Sequence, residues 1–126
     1  MLGPWRHEVD KTITAGGDHA RARVARGCVV DTRHITPEDF GIPRAPTHAL
    51  RGGDPAMNAD ILRRILHGEA SYYRNLVLVN AAAALSAAGK AASFLDGVET
   101  AAQAIDSGAA RVTLATLIEF TRNHRR

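Results

Sequence analysis

The pattern of hydrophobic and polar positions divides the chain into an N-terminal alternating part and a C-terminal helical part. Over 19–30, small or apolar residues alternate with arginine, and a turn at Arg26 and Gly27 precedes a second arm that runs to about residue 35. This alternation predicts a β-hairpin over 19–35. Residues 1–18 show no sustained period, so we expect them to be irregular, with room for a short strand or turn.

Prolines and glycines interrupt the pattern after the hairpin. Thr36 and Pro37 mark the break, and further prolines and one glycine follow at Gly41, Pro43 and Pro46. Proline removes a backbone donor and glycine favours turns, so we expect residues 40–53 to be extended or looped, without regular structure.

The first predicted helix begins at Asp54 and runs to about His67. A carboxylate at the helix start can accept free backbone N–H groups, and Pro55 is tolerated in the first turn. Its apolar residues share one stripe, and the opposite side is charged. The stripe consists of Met57, Ile61, Leu62, Ile65 and Leu66, and the charged side of Asp60, Arg63 and Arg64.

Three further helices are predicted downstream. Residues 71–88 are apolar almost all round, which is typical of a helix with neighbours on every side, so we expect this helix to expose a large apolar patch or to drive self-association. Ser93 opens the next helix, which ends near Gly108. The last helix spans 109–122 and ends in cationic residues that suit a helix C-terminus.

Composition indicates a globular protein of one domain. The chain has 126 residues, of which 45% are hydrophobic and 23% charged, and its net charge is +3. Cys28 is the only cysteine, which excludes an intrachain disulfide and a cysteine-based metal site and fits a reducing cytoplasm. The N-terminus lacks a signal-peptide core and no apolar run could span a membrane, so we expect a cytoplasmic protein.

The charged residues offer few candidates for chemistry. Six histidines show no metal-ligand spacing, and no GxSxG motif is present, so we assign no catalytic residue. Four arginines of the hairpin could contact nucleic acid, but without interleaved aromatic residues a solvated face is the favoured interpretation. They are Arg21, Arg23, Arg26 and Arg33.

Four ordered blocks carry a family resemblance. They read ITPEDFGIPRAP, LRGGDPAMNADILRRILHGE, LVNAAAALSAAGKA and GVETAAQAIDSGAA, and they lie between Ile35 and residue 110. In this order and at these spacings they resemble the C-terminal portion of anthranilate phosphoribosyltransferases. The resemblance implies an α/β parent fold, of which this chain supplies a mostly helical part with an N-terminal β-hairpin and about four helices. It also implies transfer of a phosphoribosyl group from phosphoribosyl pyrophosphate to anthranilate, with Mg²⁺, in tryptophan biosynthesis.

Much of the family's chemistry is expected to lie outside this chain. The resemblance places the glycine-rich phosphate loop and the acceptor-binding residues upstream of its first residue. It places Asp10 on the aspartate of a metal-binding segment and Lys11 on the neighbouring glutamate, where an ammonium group opposes Mg²⁺ binding. Asp10 is therefore the one metal-ligand candidate, and we expect it to be solvent-exposed with no metal ion bound.

The segment RGGD at 51–54 leads into a helix start, where an anion could bind. The Asp54 carboxylate already occupies that end of the helix and would repel an anion.

These observations favour a single partial domain over 1–126, made of an irregular segment 1–18, a hairpin 19–35 and a helical part 54–122. We expect a C-terminal fragment of an anthranilate phosphoribosyltransferase that is not active alone, with phosphoribosyl pyrophosphate and anthranilate as ligands of the complete enzyme only. The alternative is a noncatalytic remnant, or a basic module that binds nucleic acid or a protein partner.

Overall fold

Helices dominate the part of the chain that the computed structural model describes, which is residues 7–9, 20–26 and 29–124, with side chains from Ile35 onward except at Thr47. The prediction of a mostly helical chain with four helices is confirmed, and each helix lies within two residues of its predicted bounds. The helices are α1 (Pro55–Leu66), α2 (Tyr72–Ala87), α3 (Phe94–Asp106) and α4 (Ala109–Asn123).

Three strands precede the helices. They are β1 (His7–Val9), β2 (Ala20–Arg26) and β3 (Val29–Ile35), and they form an antiparallel sheet in the order β1-β2-β3. In the register of β2 with β3, Arg26 lies opposite Val29 and Ala20 opposite Ile35. These two strands occupy the segment for which the sequence predicts a hairpin. The turn at 27 and 28 lies outside the described residues and stays a prediction, as does most of segment 1–18.

The segment after the strands is more regular than expected. Two 3₁₀ turns, Pro37–Phe40 and Thr47–Leu50, fall where the sequence analysis placed the break and the loop, so the expectation of no regular structure over 40–53 is wrong. The first turn is held by Asp39, whose carboxylate accepts a hydrogen bond from the Thr36 backbone N–H at 2.8 Å. It ends at Gly41, which adopts the left-handed φ of 67° that favours glycine.

A buried aromatic ring explains why this turn is ordered. Phe40 is only 1% exposed and its ring stacks on Phe94 at the start of α3, with 4.4 Å between ring centroids. Stacked aromatic rings contribute beyond the area that they bury. The local sequence gives no sign of this contact because Phe94 lies more than fifty residues further along the chain.

The core forms where α2 packs against α3. Leu78, Val79 and Ala82 of α2 are buried, and so are Ala101 and Ile105 of α3. Around this centre lie buried residues of the preceding segments and of α1, namely Ile35, Phe40, Ile42 and Ile65. A single cluster therefore joins β3, the first 3₁₀ turn and the first three helices.

The two central helices approach unusually closely at one point. A Cβ atom built on Gly97 of α3 would lie 2.9 Å from both the Cα and the Cβ atoms of Ala82 in α2. Real Cβ atoms do not approach other carbon atoms so closely. Glycine costs helix stability relative to alanine, so its presence inside α3 is explained by this backbone contact.

Among the described helices, α4 exposes more large apolar side chains than any other, whereas the sequence predicts the exposed apolar patch on 71–88. In α2, Tyr72 and Val77 are the exposed large apolar residues, at 43% and 38%. By contrast, α4 has no buried residue and exposes four large apolar side chains. None of the helices that the structure describes has both the length and the hydropathy needed to cross a membrane.

Replacing Gly97 with alanine should destabilise the fold. The added methyl group must push α2 and α3 apart, and overpacking of this kind costs about 1–3 kcal/mol. Urea denaturation followed by far-ultraviolet circular dichroism measures the change in the free energy of unfolding. Thr100→Ala, at an exposed position of the same helix, is the control and should cost little. Equal effects of the two substitutions would contradict the close helix contact.

Candidate functional site

The start of α1 is built around a glycine turn, residues 51–54. Asp54 caps the helix, since its Oδ1 accepts a hydrogen bond from the Met57 backbone N–H at 2.8 Å, and Pro55 follows in the first turn. The predicted cap is thereby confirmed. Because the carboxylate already lies at the positive end of the helix dipole, this helix start does not favour an additional anion.

Asn58 holds the glycines of this turn in place. Its Oδ1 accepts from the Gly53 backbone N–H, and its Nδ2 donates to the Gly53 carbonyl oxygen, both at 2.9 Å. A Cβ atom on Gly52 would lie 2.7 Å from Asn58 Oδ1, and one on Gly53 would collide with the Met57 sulfur. A side chain at either position would have to displace Asn58 or Met57, whose side chains fold back over the turn.

Tyr73 fastens the same turn to α2. Its hydroxyl donates to the Arg51 carbonyl oxygen at 2.6 Å, across 22 residues of sequence. The sequence analysis did not identify this residue, because a tyrosine in an apolar helix gives no indication of a distant backbone partner. With Asn58 on one side and Tyr73 on the other, the turn is held between α1 and α2.

A pocket of about 220 Å³ lies beside the turn. Its wall is mostly aliphatic, and its polar side chains, Asn58 and Tyr73, already hydrogen-bond to the turn. The arrangement can accommodate an apolar group, and its lining contains no Asp, Glu, His, Lys, Arg or Cys side chain. The lining residues are Leu50, Gly52, Asn58, Ile61, Leu62, Ile65 and Tyr73.

An ion pair joins the beginning of α2 to the end of α3. Arg74, whose side chain is 11% exposed, places Nη1 2.9 Å from Oδ1 of Asp106, and its Nη2 donates to Oδ2 at 3.0 Å. The Nη1 contact has ionic distance but lacks hydrogen-bond geometry. The pair therefore contains one charge-assisted hydrogen bond, which links the beginning of α2 to the end of α3. Arg74 is thus engaged in a structural contact.

Glu38 and Arg44 form an exposed ion pair at the first 3₁₀ turn. Arg44 Nε donates to Glu38 Oε1 at 2.8 Å. The pKa of the Glu38 carboxyl lies below its ordinary value, first because of a backbone hydrogen bond at Glu38 itself and then because of the Arg44 side chain. Since both side chains are about half exposed, this pair contributes little to stability.

The remaining candidates from the sequence do not converge on a site within the described residues. Asp10 and Lys11 lie outside them, and so do the side chains of the hairpin arginines, so those predictions stay open. Among the histidines, His67 and His124 each place Nδ1 within hydrogen-bond distance of a backbone carbonyl of their own helix, at 2.7 and 2.8 Å. In the described part, no three side chains of His, Cys, Asp or Glu gather around a possible metal position.

Comparison with known proteins identifies the family. Residues 9–111 match the glycosyl transferase family, a/b domain. This is most of the chain, and the chain therefore belongs to that family.

Similar proteins within this family are anthranilate phosphoribosyltransferases. The chain is 50% identical to that of Parvibaculum lavamentivorans over 109 residues, which cover 86% of this chain and 32% of the relative. It is 47% identical to that of Rhodospirillum rubrum, over 87% of this chain and 31% of the relative. The crystal structure of the Thermus thermophilus transferase matches with a TM-score of 0.73 at 35% identity, over 87% of this chain and 32% of that one. The chain thus spans about a third of the length of these relatives.

Removal of the Tyr73 hydroxyl should loosen the glycine turn. Tyr73→Phe should lower the free energy of unfolding by about 1 kcal/mol, because the Arg51 carbonyl oxygen loses its protein donor. Amide exchange at 51–54 should become faster, as measured by hydrogen–deuterium exchange. Tyr72→Phe at the adjacent, exposed tyrosine is the matched control. If both variants exchange alike at the turn, the hydroxyl does not hold it.

Proposed function

We propose that this chain forms the C-terminal third of an anthranilate phosphoribosyltransferase. The single observation that carries the proposal is the 50% identity to the Parvibaculum transferase over 109 residues. The TM-score of 0.73 to the Thermus transferase agrees with it at the level of the backbone. The reaction proposed for the complete protein transfers a phosphoribosyl group from phosphoribosyl pyrophosphate to anthranilate and releases pyrophosphate.

Within that reaction, we assign the described residues a supporting role. Asp54, Asn58 and Tyr73 direct their polar groups at the glycine turn, and Arg74 is paired with Asp106. These contacts position α1, α2 and α3 relative to one another. Groups that are engaged in this way stabilise a scaffold, and the chemical step needs phosphate-binding and acceptor-binding groups that the family resemblance places upstream. The chain alone is therefore expected to be inactive.

Mg²⁺ belongs to the same proposal. It would neutralise the pyrophosphate of the donor, and Asp10 is the ligand that this chain could supply. No step is assigned to the metal through the described residues. Lys11 beside Asp10 opposes a cation, which predicts weaker Mg²⁺ binding than a carboxylate at that position would give.

The alternative of a noncatalytic module that binds nucleic acid rests on the arginines of the hairpin. Their side chains lie outside the described residues, so the alternative stays a prediction and ranks second. Self-association and a cytoplasmic location likewise stay predictions.

Grafting tests the proposed function. In the first graft, residues 36–126 of this chain replace the corresponding segment of the Parvibaculum transferase, which keeps its own upstream part. We expect anthranilate consumption, followed by fluorescence, at a rate within about tenfold of the parent, since a difference of one order of magnitude corresponds to only about 1.4 kcal/mol in the barrier. The isolated 126-residue chain should show none.

A second graft, of residues 9–126, examines the metal prediction. It should need a higher Mg²⁺ concentration for activity than the first graft, and Lys11→Glu in this graft should restore the lower requirement.

A first graft that unfolds cooperatively but has no activity would contradict the proposed function, and so would turnover by the isolated chain.

A further inference from the structure

An apolar stripe on α4 continues past the edge of the core. Ala110, Leu114, Leu117 and Ile118 follow the i, i+4, i+7, i+8 spacing of one helix face. Ala110 packs against the core cluster and Leu114 is half-buried, whereas Leu117 and Ile118 are 56% and 41% exposed. The face that contacts the core at the beginning of the helix is therefore bare at its end.

An exposed aromatic side chain borders the stripe on one edge, and charged side chains border it on the other. Phe120, which is 59% exposed, lies beside Leu117 around the helix. At 100° per residue, Arg111, Glu119 and Arg122 lie within a sector of about 80° that begins beside Ile118, so charged side chains border one edge of the stripe. An amphipathic helix with a contiguous bare apolar face is typical of a helix that packs against another surface.

We propose that this face of α4 packs against the part of the transferase polypeptide that lies upstream of this chain, as an extension of the α2–α3 core. Two observations point to this occupant. The stripe is continuous with the existing core, so whatever covers Leu117 and Ile118 lies beside that core. The similar transferases have about two thirds of their length outside the matched region, which supplies a polypeptide for that position. The inference rests on the proposed function.

The experiment compares the same substitution in two contexts, the isolated chain and the graft of residues 36–126. Leu117→Asp should lower the thermal unfolding midpoint of the graft by roughly 5 °C or more, because a charge is then buried without a partner. In the isolated chain, where Leu117 is exposed, the midpoint should hardly change. Glu119→Gln, on the charged side of α4, is the matched control and should leave both midpoints unchanged.

Two results would overturn the inference. One is an equal effect of Leu117→Asp in the graft and in the isolated chain. The other is a dimer of the isolated chain in analytical ultracentrifugation that Leu117→Asp dissociates, because a second copy would then cover the face. The experiment measures the thermal unfolding midpoint, so it tests the packing of α4 even in a graft that folds but has no activity. A failure of the proposed function is thereby distinguished from a failure of this inference.

Discussion

The close contact between α2 and α3 determines the arrangement of the other elements. Near the start of α3, Gly97 lies against Ala82, and the lack of a side chain at 97 lets the two backbones approach. One turn earlier, Phe94 stacks on Phe40 and so attaches the segment before α1. At the far end of α3, Asp106 pairs with Arg74 of α2. A larger residue at position 97 would push the two helices apart and strain these contacts.

Periodicity and capping residues predict the helices well because both are local signals. Asp54 and Ser93 mark helix starts in the sequence, and each side chain accepts a backbone hydrogen bond at its predicted position. Contacts between distant residues leave no such signal. The ordered turn under Phe40 and the bond from Tyr73 to Arg51 each depend on a partner more than twenty residues away.

The sequence analysis also misplaced the exposed apolar surface, for a related reason. The second half of residues 71–88 is rich in alanine, and α3 and the preceding turns cover much of the surface of this helix. The larger side chains of α4 have fewer neighbours within the described residues. Hydrophobicity along the sequence therefore identifies apolar helices, but which of them stays exposed depends on the polypeptide present around them. The geometry of the glycine turn gives its polar residues Asn58 and Tyr73 a structural use.

The central claim is that the described helices form one side of a larger core. Hydrogen–deuterium exchange, resolved by peptide, tests it most directly on the isolated chain and on the graft of residues 36–126. The account predicts slow exchange in α2 and α3 in both proteins, and exchange over residues 117–123 that is fast in the isolated chain and slow in the graft. Equal exchange over 117–123 in the two proteins would contradict it.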